Sequence, residues 1–382
     1  MSVTVMSKGS APRPGFVETA HELGRQFAER ADATDDDTFV ADNFSLLKSS
    51  GLIAAGVPSA LGGGGADVDE LAEMLRVIAY HCGSTGLAFS MHTHQVAIPA
   101  WRWTHQKVAA VEPLLKRVAQ ERIVLLSSGG SDWITGSGQA EKVDGGYRIN
   151  ARKVFTSAAP AGDLLMTGAV LPTPDGPMVL HFGIPMTSPH VKVLDTWHAL
   201  GMRGTGSHDV LIDGHIVPDA AVAVQRKSGE WHPLFHTIAT IAFPLVYAAY
   251  LGVAESARDI AIGLAKRKPI NRHAIDLAGR METELTGARL AHQSMLGAVR
   301  LNAPSAATIN QVMIGRQLVE RHAIAAVERA MELAGGAGFY RPAGLERRFR
   351  DIQAARYHPL QAGPQAEFAG SIALGLPVDR VF

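Results

Sequence analysis

One change of texture constrains this chain more than any other feature. Short β runs fill its middle, and helical periodicity fills both ends. From about Arg122 to Val224 the runs Ile123–Leu126, Tyr147–Phe155, Leu164–Leu171 and Met178–Phe182 are separated by Gly, Pro and Asp. Asp144-Gly145-Gly146 before the second run is a hairpin signal, and Val210–Ile212, Asp213-Gly214 and His215–Val217 continue the pattern. This spacing predicts a small antiparallel barrel or sandwich. On the N-terminal side, Val68, Leu71, Leu75 and Ile78 fall on one face of a helix. Asp67 stands at its start as a cap, delivered by Gly62–Gly65. Those four glycines are not followed by Lys-Ser or Lys-Thr, so they read as a loop and not a nucleotide cradle.

After Trp231 the helical pattern returns. Leu285, Ala288, His292, Met295, Leu296 and Val299 form one stripe, and Ile309–Leu333 is apolar on most of its circumference, as expected inside a bundle. Gly335-Gly336 ends that helix. Pattern alone thus gives an α+β chain in α–β–α order: an N-terminal helical domain over 1–121, a central β domain over 122–225 and a four-helix-like bundle over 226–382.

Composition narrows the function classes. Of 382 residues, 36 are Lys or Arg and 36 are Asp or Glu, so the formal net charge is zero. A nucleic-acid binder needs a basic surface to meet phosphates, and no basic run is present. Cys82 is the only cysteine, which excludes internal disulfides and thiolate metal sites. Its apolar surroundings beside His81 suit a buried structural thiol. The N-terminal residues lack the apolar core of a signal peptide, and no uninterrupted apolar run reaches spanning length. A cytoplasmic protein without a membrane segment is the expectation. His-Glu-x-x-His, Gly-x-Ser-x-Gly and a strand-linked Gly-x-Gly-x-x-Gly are absent. Of the histidines, only His92 and His94 lie two apart, a spacing that does not share a helical face, so no metal site is expected.

Five segments in order resemble the acyl-CoA dehydrogenase superfamily across nearly the whole chain. Pro58–Asp67 is similar to its Pro-Glu-x-x-Gly-Gly segment. Asp144–Ser157 resembles its Gly-x-Tyr-x-Leu-Asn-Gly-x-Lys-x-Trp-Ile-Thr hairpin. Leu200–Ser207 followed by Val217-Pro218-Asp219 resembles its Leu-Gly-x-Arg-Gly-Ser and Val-Pro-Glu. Gly335–Phe339 and Leu345–Asp351 match its Gly-Gly-x-Gly-Tyr and Val-Glu-Arg-x-x-Arg-Asp. The resemblance implies a flavin, FAD in the main branch, with Phe155 beside the ring and Ser157, next to Thr156, near its reactive nitrogen. A flavin needs a flat apolar wall and a few directed donors, which these residue types supply. An ordinary strand end, with Phe155 in the core and Thr156 and Ser157 starting a turn, is the structural alternative. Ser127 and Ser128 fall where the family's loop lines the flavin, although the usual Thr-Glu-Pro-x-x-Gly-Ser-Asp is here Ser127-Ser-Gly-Gly-Ser-Asp132.

The departures are informative. The position of the family's catalytic glutamate is Pro359, and its alternative location falls near Ala242-Phe243, with no carboxylate at either. The Arg-x-x-Phe-Gly that holds the far end of FAD is replaced by Lys266-Arg-Lys-Pro-Ile270. His358 stands beside Pro359, and this resembles a sister branch, the two-component monooxygenases, which take FMN or FAD already reduced by a separate flavin reductase. A histidine titrates near operating pH and suits proton transfer. His358 is therefore the first catalytic candidate, with His92 or His94 second; a helix-end cap is the alternative for His358. Oxygenation of a small aromatic or heterocyclic substrate is favoured. The alternatives are dehydrogenation of an acyl thioester with an electron-transfer flavoprotein as acceptor, and a non-catalytic relative of the fold. The resemblance and the apolar Ile309–Leu333 helix together imply a homotetramer or homodimer.

Overall fold

The computed structural model describes residues 14–128 and 133–378. Five helices come first: α1 (Pro14–Arg30), α2 (Ala41–Ser50), α3 (Val68–His81), α4 (Gly83–Gln106) and α5 (Glu112–Glu121). Asp67 caps α3 in a reciprocal box: its carboxylate accepts from Glu70 N and Glu70 returns a bond to Asp67 N, both at 2.9 Å. The glycines before it are explained by packing. A Cβ on Gly63 would lie 2.3 Å from the Val57 carbonyl oxygen, so this loop folds against its own chain. Cys82 is buried between α3 and α4 and accepts from the Thr85 hydroxyl, a structural thiol as expected.

Eight strands follow: β1 (Leu125–Ser127), β2 (Gln139–Val143), β3 (Gly146–Lys153), β4 (Leu164–Leu171), β5 (Met178–Pro185), β6 (Val191–Val193), β7 (Val210–Pro218) and β8 (Val224–Lys227). They form one sheet in the order β6-β7-β3-β2-β4-β5-β8, with β1 paired to β4. The predicted barrel or sandwich was wholly antiparallel, whereas β1–β4 and β2–β4 run parallel. The β2–β3 hairpin lies between β1 and β4 in sequence and serves as the crossover that parallel pairing requires. Asp144-Gly145 makes that hairpin's turn, with Gly145 at φ +72°. Asp213-Gly214 does not turn the chain: it lies inside β7, opposite a register shift at Ile149/Asn150, and Gly214 N donates to the Asn150 side chain.

The C-terminal part holds three long helices, α6 (Leu234–Ala265), α7 (Arg272–Arg300) and α8 (Ala306–Ala334). The short α9 (Gly336–Phe339), α10 (Leu345–Ile352) and α11 (Ala362–Ala373) complete the layer, so the bundle has three full-length members. The predicted α7 stripe is buried throughout. α6 is long and apolar enough to cross a membrane, but its apolar surface is enclosed by α3 and α4 on one side and α7, α8 and α10 on the other. It is the central core helix, and it carries the side chains that meet His358.

Candidate active site

α4, α6, α8 and the turn after α10 converge on His358. Residues Gln353–Tyr357 form a short 3-10 turn, and His358 ends it in an extended conformation, half-buried. Its Nε2 lies 2.5 Å from the hydroxyl of Tyr250, a buried residue of α6. Burial raises the Tyr250 phenol well above its ordinary range, so it stays protonated. The other ring nitrogen, Nδ1, has no partner among the described residues; with the phenol donating to Nε2 the neutral ring would carry its hydrogen there. Burial first, then the Arg316 guanidinium and His94, push the His358 pKa down to about 3. His358 is thus a neutral donor at operating pH, and not a cap on helix-end carbonyls.

The two histidines of α4 have separate fates. His92 is spent on the chain: Leu125 N donates to its Nδ1 and its Nε2 meets the Ile53 carbonyl, both at 2.9 Å. It anchors β1, and no ring nitrogen remains for substrate. His94 is also buried, yet its Nδ1 has no hydrogen-bond partner. Its charge acts on His358, the weakest of the three influences that lower that ring's pKa. Burial, with a smaller repulsion from His92, pushes His94 down to about 4, which leaves a neutral ring with an unmet polar atom.

The second half of the site lies where β3 ends. Phe155 is 56% exposed, with φ at +53°, a left-handed conformation that a bulky residue adopts only when its surroundings impose it. Trp197 packs edge-on against it, ring centroids 5.9 Å apart. Phe155 is therefore not the core residue of an ordinary strand. Thr156 is fully buried; its backbone N–H binds the His208 carbonyl and its hydroxyl points back to Lys153. Ser157 Oγ lies 2.8 Å from Ser207 Oγ, which lies 2.7 Å from Thr205 Oγ1. The arrangement fits a flavin: an exposed aromatic ring beside a row of hydroxyls. Ser127, at the end of β1, and Ser128, 3.1 Å from the Thr167 hydroxyl, are half-buried; Gly129–Asp132 lie outside the described residues. Beyond them the buried Arg226 donates to the carbonyls of Trp133 and Ile134 and fixes the return of the chain.

Loop 200–207 joins the two halves. Asp351 is buried at the end of α10 and accepts from Met202 N, while Gly204 N donates to Ser84 at the start of α4. A Cβ on Gly201 would sit 2.3 Å from the Arg350 backbone. The Leu-Gly-Met-Arg and Arg-Asp segments are thus two faces of one contact. A separate cavity of about 270 Å³ holds His21, Arg76, Tyr80, Glu255, Arg258 and Asp259, whose charges are paired among themselves.

The acyl-CoA dehydrogenase N-terminal domain family matches residues 15–116, and the acyl-CoA dehydrogenase C-terminal domain family matches residues 245–361. The chain belongs to the acyl-CoA dehydrogenase superfamily. Among this superfamily's members, a pigment production hydroxylase of Rhodococcus sp. (strain ATCC 21145) is 27% identical, with 96% of this chain and 98% of the relative covered. A dibenzothiophene monooxygenase of Mycolicibacterium goodii is 33% identical over 64% of this chain and 61% of its own length. The solved structure of KijD3 in complex with FMN and a dTDP-linked amino-keto sugar superposes with a TM-score of 0.90 at 25% identity, covering 99% of this chain and 98% of that one. The protein is accordingly a flavin-dependent oxidoreductase of this superfamily.

Sequence reasoning missed Tyr247, Tyr250 and Arg316. Arg316 falls among the buried positions of α8, Ile309, Val312, Met313 and Val319, and a charge on that face is costly to bury and therefore informative.

Proposed function

We propose that this protein is a monooxygenase that takes FMN already reduced by a separate flavin reductase and oxygenates a small organic molecule. One observation carries the proposal. At the position where a dehydrogenase has its carboxylate the chain has Pro359, and the neighbouring His358 has an Nδ1 without a partner among the described residues, as does the Nδ1 of the buried His94. FMN is preferred over FAD because the stretch that would hold the far end of FAD is Lys266–Ile270, and because KijD3 binds FMN.

Reduced flavin supplies the electrons and the site at which O₂ is activated. Phe155 offers it a flat wall, Ser157 and its partner hydroxyls offer donors, and Ser127 and Ser128 lie on the adjoining strand end. His358 holds a proton at Nδ1 and is steadied at Nε2 by Tyr250; His94 supplies a second neutral imidazole for substrate or a water. Packing of Tyr247, Tyr250 and Phe243 along α6 keeps this side dry, which favours oxygen chemistry over loss of the activated oxygen to water.

The substrate is proposed as a compact aromatic, heterocyclic or amino-sugar molecule, since relatives are named for dibenzothiophene and bind a dTDP sugar. A cytoplasmic location and a homotetramer or homodimer belong to the same proposal. The support for assembly is the exposed Ile275, Leu290, Phe339 and Tyr340, because α8 itself is mostly covered within the subunit.

The test compares two reactions of the purified protein. With FMN, NADH, a flavin reductase and a panel of indole, dibenzothiophene and amino-sugar nucleotides, oxygen-dependent product is expected. Anaerobic bleaching of bound flavin by an acyl-CoA, with no oxygenated product, would return the protein to the dehydrogenases.

A further inference from the structure

Arg316 is the largest side chain with no exposed surface in the described protein. It lies on α8, about three turns into the helix and on its buried face, and it reaches the backbone that carries His358. Its Nη2 donates to the carbonyls of Ala355, at 3.1 Å, and of His358 itself, at 2.9 Å. Tyr247 donates to the same Ala355 carbonyl at 2.7 Å, and the guanidinium lies over the Tyr247 ring. This charge is incompletely matched. Glu320 Oε2 is 3.2 Å from Nη1 but accepts no hydrogen bond, and Arg316 Nε donates none. A buried, under-compensated guanidinium is expensive, and an apolar residue here would be cheaper for stability alone.

We propose that Arg316 is a positioning residue for His358: its Nη2 fixes the turn at Ala355 and His358, and its only partly compensated positive charge faces the imidazole. The proposal rests on the role given to His358 above. The groups facing that ring are His94 from α4, Tyr247 and Tyr250 from α6, and Arg316 with Glu320 from α8; its own segment contributes the exposed Arg356 and Tyr357. Arg316 is the one full positive charge against it from the packed elements. The downward push on His358 agrees in direction, with Arg316 the second cause after burial. The consequence is a donor whose protonation does not change across the working pH range.

The experiment reads His358 directly in the flavin-free protein, by NMR titration of ¹³C-labelled histidines with the His358 signal assigned from His358→Gln. In the wild type the ring should stay neutral down to about pH 5. Arg316→Gln keeps an N–H donor for the two carbonyls but removes the charge, and should move the titration up by about one pH unit or more. Arg316→Lys keeps the charge and should leave the titration near the wild-type position, while losing turnover because a flexible ammonium stem does not hold the two carbonyls in place as the planar, buried guanidinium does. An unmoved titration in folded Arg316→Gln overturns the proposal. So does an equal upward shift in Arg316→Lys, since that would mean that turn geometry and not charge sets it. Should Arg316→Gln not fold, Arg316→Lys with a wild-type titration and lowered turnover supports the proposal, and a raised titration overturns it. Because the titration needs no flavin or substrate, the outcomes that overturn the proposal are read separately from the monooxygenase assignment.

Discussion

Replacing His358 by Ala tests the centre of the proposed chemistry, and the structure sets the size of each effect. The substitution removes the proposed proton donor and, at the same time, the hydrogen-bond partner of the Tyr250 hydroxyl. Loss of a positioned proton donor lowers turnover by roughly 10²–10⁴-fold, or about 2.7–5.5 kcal/mol of barrier. The orphaned Tyr250 hydroxyl is a separate matter of stability: a buried, unmet donor costs about 1–3 kcal/mol. Adding Tyr250→Phe removes the orphan, so the double variant should be no less stable than His358→Ala alone, although it stays inactive. Flavin affinity should hardly change, since Phe155 and Ser157 are untouched. The measurements are urea unfolding, FMN titration and oxygen-coupled turnover with a flavin reductase. Wild-type turnover in a folded His358→Ala variant would refute the assignment outright. Destabilisation of the double variant by the sum of the two single changes would refute the Tyr250–His358 hydrogen bond as drawn.

Two further outcomes follow from the same geometry. Phe155→Ala should weaken FMN binding by about 1–3 kcal/mol by removing the exposed ring, and an unchanged dissociation constant by fluorescence titration would remove Phe155 from the flavin wall. His92 and His94 are both held neutral, with pKa values pushed down to about 4. Between the unfolded value near 6.5 and that folded value the unfolded chain binds protons that the native one refuses. Stability is therefore full above pH 6.5 and falls toward pH 4, by at most roughly 1.4 kcal/mol per pH unit and histidine. Urea midpoints that stay level between pH 7 and pH 5 would contradict this, and His92→Asn should flatten the decline while lowering stability at pH 7.

How much of this was legible beforehand differs from element to element. The α3 cap, the α7 stripe and the β2–β3 turn are local: Asp67 meets Glu70 three residues on, and Gly145 supplies a positive φ that few residues tolerate. Such features depend on spacing within one turn or hairpin, so the sequence carries them whole. Asp213-Gly214 shows the limit, because the same dipeptide signal makes a bulge when the flanking residues pair with β3 on both sides.

The site followed a different rule. The sequence by itself determined the α–β–α order, the superfamily, the loss of the carboxylate at Pro359 and the candidacy of His358, because each is written in residues a few positions apart. It treated His92 and His94 alike, and it passed over Tyr250 and Arg316. Only the tertiary structure decided that Leu125 of β1 and the Ile53 carbonyl take the two nitrogens of His92, that His94 is left with an unmet Nδ1, and that α6 and α8 bring a phenol and a guanidinium from 108 and 42 residues away in the chain to His358. The physical reason is that a histidine's protonation and role are set by burial and by whichever charges and donors packing brings within a few ångströms, and those neighbours are not neighbours in sequence.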